Sequence, residues 1–173
     1  MATLYAQTTS NDYSNWNDNN STDDRYAWQF APTTSGTPTE IVLDLNGISG
    51  SPTGNIYISA DKTLAATDYG SATGVAFTSG VNTIALTGGA QINSGTTYWV
   101  FFVRTTTPAT GYPKFKYDTA KTNYQSWRST AGGIDPNNLW FTSDIKMTIN
   151  GDLVTESSRS PSGGAAYGSP MFY

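Results

Sequence analysis

The feature that most constrains this chain is a period-two alternation of apolar and polar residues, repeated in short runs cut by Gly, Pro, Asn and Thr clusters. A strand sends successive side chains to opposite faces, so each such run supplies one face for a core and one for water. Ile41, Leu43 and Leu45 fall on one side, with Val42 and Asp44 on the other. Ile56 and Ile58 repeat the pattern after a turn rich in Gly, Ser and Pro, and Ile84 and Leu86 follow between Gly80 and Gly88. Phe115 and Tyr117 alternate with Lys114 and Lys116, and Ile145, Met147 and Ile149 alternate with Lys146, Thr148 and Asn150. Residues 98–103 are apolar on both faces and predict a central strand covered on both sides. Two further strands are expected at residues 4–8 and 26–31. No stretch carries a sustained 3.6-residue apolar period with helix caps.

Eight or more short antiparallel strands with turn signals at this spacing predict an all-β domain, a two-sheet β-sandwich. A length of 173 residues suits one domain with a core of its own, expected over residues 1–156. Ile41, Leu43, Ile58, Leu86, Val100, Phe102, Met147 and Ile149 are the expected shared core. Three segments stand outside the pattern. Residues 11–24 form a polar stretch with nine Asn or Asp, read as a loop. Residues 105–133 are aromatic-rich and broken by Pro108 and Pro113. Residues 157–173 are a low-complexity tail whose one charged side chain is Arg159.

Composition removes several chemistries. The chain holds no His and no Cys, which excludes a Ser–His–Asp triad, a thiol nucleophile and the usual zinc site. A net charge of −4 with nine scattered basic residues argues against nucleic acid. The longest apolar run, six residues, is too short to cross a bilayer. The carboxylate pair of a glycosidase is the enzymatic route left open. Glu40 and Glu156 are the only glutamates and are expected at strand margins, and most Asp residues are expected in turns. The expectation is therefore a protein that is not an enzyme.

Three groups of residues are candidates for binding. Trp16, Tyr112, Tyr124 and Trp127 fall in predicted loops, where aromatic faces can stack on sugar rings; core or interface filling is their alternative. Trp28, Trp99 and Trp140 fall on strands and read as structural. Asp18, Asn20, Asp23 and Asp24 offer hard oxygen ligands for Ca²⁺, without the glycine spacing of an EF-hand; a solvated loop bonding its own backbone is the favoured alternative. Tyr167, Phe172 and Tyr173 in the tail are expected to anchor in a pocket of another chain, because Gly- and Ser-rich backbone is costly to order unless aromatic area is buried.

The run entering at Gln29 and Phe30 and continuing through residues 41–45, 54–61 and 92–100, with Trp127 and residues 144–151 at the close, resembles the jelly-roll domains of choice-of-anchor type. These occur in bacterial surface proteins and in phage virion proteins, and the likeness spans residues 26–151. It implies a sandwich of jelly-roll type. The first ten residues lack the basic start and apolar stretch of a secretion signal, and no sorting tail follows, so the expectation moves from the cell surface to the virion. The expected role is a virion structural protein made in a host cytoplasm: capsid decoration, fibre or tail. Its expected partners are copies of itself, other virion proteins and cell-surface glycans. The rival expectation is an extracellular carbohydrate-binding module of a larger secreted protein.

Overall fold

The structure, a computed structural model, describes residues 1–15, 25–61, 69–105, 111–119, 125–129, 139–142 and 144–154; residues 13–15, 111–112, 125–129 and 139–142 are described by backbone alone. Among these residues there are thirteen strands and no helix. In chain order they are β1 (Ala2–Gln7), β2 (Asp12–Asn15), β3 (Arg25–Phe30), β4 (Gly36–Gly50), β5 (Thr53–Ser59) and β6 (Ser71–Ala76). Then come β7 (Gly80–Ala85), β8 (Tyr98–Arg104), β9 (Gly111–Asp118), β10 (Gln125–Ser129), β11 (Leu139–Thr142), β12 (Asp144–Ile145) and β13 (Met147–Leu153).

The strands pair antiparallel into two sheets, so the protein is an all-β sandwich. The first sheet has seven strands along the path β1-β13-β4-β9-β12, with β2 added to β9 and β7 to β4. The second runs β11-β10-β3-β8-β5-β6. The long strand β4 organises the first sheet. Residues 36–43 pair with β13 and residues 40–45 with β7; from Leu45 to Gly50 the strand pairs with β9, with a register shift between Leu45 and Gly47. A bend at Lys146 separates β12, on β9, from β13, on β4.

The expected core residues all lie in one buried cluster between the sheets. The alternation explains why. Ile41, Leu43 and Leu45 are buried, while Val42 and Asp44 face outward and are only half-buried. Aromatic rings close the gap between the layers. Trp28 of β3 meets Phe102 of β8 at 5.4 Å and Phe115 of β9 at 5.2 Å, and Phe102 and Phe115 stand 4.8 Å apart. Gly36 and Gly151 let β4 and β13 pass close to Leu4: a Cβ on either would sit 2.6 Å from a Leu4 methyl. The buried Asn82 is fully engaged in the turn before β7. It accepts from the Thr78 backbone N–H and hydroxyl and donates to the carbonyls of Thr78 and Gly80.

Strand β8 is covered on both faces, as its sequence predicts. Tyr98, Val100 and Phe102 enter the shared core, while Trp99 and Phe101 join Ala27 in a second small cluster on the other face, with Tyr57 packed against it. Two expectations need correction. The polar stretch 11–24 is not loop throughout, because Asp12–Asn15 forms β2 on β9. The region 105–133 is not merely broken by Pro113, which lies within β9, buried and opposite Ile48. In both cases pairing with a neighbouring strand outweighs weak local propensity.

Candidate functional site

Two concentrations of polar groups stand out among the described residues. The first lies on the outward face of the seven-stranded sheet. Asp44 projects from β4, Lys116 from β9, and Lys146 from the bend before β13. The Lys116 ammonium donates to Asp44 Oδ1 at 2.7 Å and the Lys146 ammonium to Oδ2 at 2.7 Å. All three side chains keep a fifth to a third of their surface in water. Partial burial raises the Asp44 pKa, but the two lysines outweigh it and hold the carboxyl below its ordinary value. One carboxylate thus fixes two cations and leaves the group with one net positive charge.

Beside this group lies an open concavity of about 230 Å³, bordered by Thr8, Val42, Asp44, Val81, Lys146 and Thr148. It crosses the strands β1-β13-β4-β7, where register sets Thr148 beside Val42 and Asp44 beside Val81. Val81 is 66% exposed although apolar. A polar ladder borders the same face: Asn150 donates to Glu40 at 2.8 Å, and Thr3 donates to Asn150 at 3.2 Å. Glu40 therefore sits within β4, not at a strand margin.

The second concentration is buried. Asp118 of β9 and Asp144 of β12 are direct cross-strand partners, with 7% and 2% of their surface exposed. The Tyr5 hydroxyl donates to Asp144, and the Thr9 hydroxyl donates to Asp118 at 2.5 Å. Beside them the Tyr117 hydroxyl is held protonated by burial and by the Asp12 carboxylate, which raise its pKa above the ordinary value. Asp44, which the alternation already assigns to a strand, is joined on strands by Asp118 and Asp144. A carboxylate pair facing a groove would suit glycoside cleavage. This pair is instead enclosed and bonded to hydroxyls from β1 and the residues just after it.

The aromatic candidates are placed differently from expectation. Tyr112 is on β9, paired with Ser49, and Trp127 is on β10, paired with Ala27 and Leu139. Both are strand residues rather than loop residues, and their strands belong to different sheets. Trp16 and Tyr124 lie outside the described residues. So do Asp18, Asn20, Asp23 and Asp24, and so do Tyr167, Phe172 and Tyr173. Trp28 is in the core, Trp99 in the outer cluster, and Trp140 on β11. Among the described residues no group of three or more acidic side chains is placed to hold a metal ion. The Asp44–Lys116–Lys146 group escaped sequence reasoning. Alternation puts these residues on wet faces, but their meeting depends on register across three strands.

Comparison with known protein families, with curated proteins and with solved structures finds no match.

Proposed function

We propose that this chain is a non-enzymatic structural subunit of a virus or phage particle, a jelly roll that presents a binding surface. The observation that carries this reading is strand order. Taken along the chain, β1, β3, β4, β5, β6, β7, β8 and β13 fill two four-stranded layers, β1-β13-β4-β7 and β3-β8-β5-β6. That order supports the jelly-roll reading, since it matches an interleaved double Greek key, the plan used by viral capsid and lectin domains. Function does not follow from fold, so the residues must add to the argument. The chain has no His or Cys for nucleophilic or thiol chemistry, and the cross-strand pair Asp118 and Asp144 is buried and hydrogen-bonded.

The remaining strands, β2 and β9 to β12, are additions to that eight-stranded plan. They carry or flank Trp16, Tyr112, Tyr124 and Trp127, the residues proposed to meet host glycans. Ca²⁺, if bound, would use Asp18, Asn20, Asp23 and Asp24. Tyr167, Phe172 and Tyr173 would tie one copy to the next. The reading is tested by labelling purified particles from the native source with gold-conjugated antibody against this protein. Regular decoration of heads, fibres or tails supports it. Particles without label, with the protein recovered instead from the secreted fraction, overturn it in favour of an extracellular carbohydrate-binding module. Deleting residues 157–173 adds a second readout: the domain should keep its melting temperature and lose self-association.

A further inference from the structure

We propose that the concavity beside Asp44, Lys116 and Lys146 binds a sugar unit carrying a carboxylate. The site is independent of the proposed aromatic glycan residues and of whether the chain belongs to a particle.

The argument begins with charge. The chain is acidic overall and has nine basic side chains, yet two of them converge on one carboxylate here. Each lysine ammonium carries three N–H donors. Asp44 takes one from each, so donors and one net positive charge remain for a second anion. Asp44 also holds the ammoniums in place, which reduces the rotamer entropy that flexible lysines would otherwise lose on binding. The lysines stand on paired strands and a tight bend, not on a long loop, so their positions are set before a ligand arrives.

Shape and lining then narrow the ligand. Val42 and Val81 give an apolar wall, with Val81 66% exposed to the open side. Thr8 and Thr148 border the same space and offer hydroxyls able to donate or accept. An apolar wall for the C–H face of a ring, hydroxyls for its hydroxyls and a cation for its acid match a uronic or sialic acid unit. At about 230 Å³ the space is below the range of about 300–1,000 Å³ for drug-sized ligands, which points to a single ring. A free inorganic anion would make no use of the valine wall, and a neutral sugar could accept a hydrogen bond from Lys146 but would leave the net positive charge unmatched.

The test is a titration followed by backbone amide and valine methyl NMR at constant ionic strength. The probes are sodium glucuronate, N-acetylneuraminic acid, methyl glucoside and sodium acetate. Saturable shifts at Val42, Val81, Lys146 and Thr148 with at least one sugar acid, at least tenfold tighter than with methyl glucoside or acetate, support the proposal. Saturation by glucuronate or by N-acetylneuraminate alone identifies the acid. Two variants sharpen it. Lys146→Met should weaken sugar-acid binding at least tenfold. Val81→Asp, at an exposed position opposite Asp44, should do the same and lower the melting temperature by only a few degrees. The proposal is overturned if neither acid saturates, if methyl glucoside or acetate binds as well as the acids, or if folded Val81→Asp protein binds them undiminished.

Discussion

The two sheets of this sandwich share one core but treat their outer faces in opposite ways. On the six-stranded sheet the outward residues of β8 are Trp99, Phe101 and Val103, the first two buried and the last half-buried. On the seven-stranded sheet the outward residues of β4 include Val42 and Asp44, with Lys116 and Lys146 gathered on the latter. The pleat is the same in both. The difference lies in what the alternate residues are: all apolar along β8, alternately apolar and polar along β4. A strand read as apolar on both faces must be covered on both, and a strand with one polar face can leave it open for binding.

The sharpest way to break this comparison is to truncate adjacent rings that point to opposite sides of β8. Phe102→Ala, in the shared core, should cost about 3–5 kcal/mol in urea unfolding. Phe101→Ala, in the small outer cluster, should cost less, about 2 kcal/mol, since fewer neighbours must repack around it. Equal losses would make the outer cluster a second core and remove the asymmetry within that sheet. Gly151→Ala probes the inner side of the polar-faced sheet. Its Cβ would run into the Thr37 carbonyl and Leu4, so about 1–3 kcal/mol should be lost, read as a lower denaturation midpoint.

The open face should respond more weakly and through charge. Asp44→Asn should cost about 1 kcal/mol, because its two ion pairs are partly hydrated. The pH dependence follows from the lowered pKa of Asp44. Its contribution is full above the ordinary carboxylate pKa of 3.8 and is lost as pH falls through the folded value. Melting curves of the wild type and the variant should therefore converge in acid and separate toward neutrality. Val81→Ser, on the same face, should change stability by no more than about 0.5 kcal/mol. A large loss there would mean that this valine is packed in the functioning protein.

Much of the inner architecture was legible from residues alone. The alternation at Ile41, Leu43 and Leu45 and at Met147 and Ile149 marks the buried side correctly, because the direction of a strand side chain is a local property. The apolar run at residues 98–103 is legible for the same reason. Less legible were β2, where Asn and Asp suggest a turn, and the start of β9, where Pro113 suggests a break. Both become strands because a partner edge is present. Tyr112 and Trp127 lie on strands for the same reason, paired with Ser49 and with Ala27 and Leu139.

By itself the sequence determined the strand class of the clearly alternating runs, their inward residues and the absence of any histidine or thiol chemistry. These depend on composition and on spacings of two residues, which no distant contact can alter. Only the tertiary structure decided which outward residues become neighbours. Asp44 lies 72 positions from Lys116 and 102 from Lys146, and Asp118 faces Asp144 across two strands. Strand register sets those meetings, and register is chosen by the packing of both sheets together, since a slip of one residue would turn every buried side chain outward.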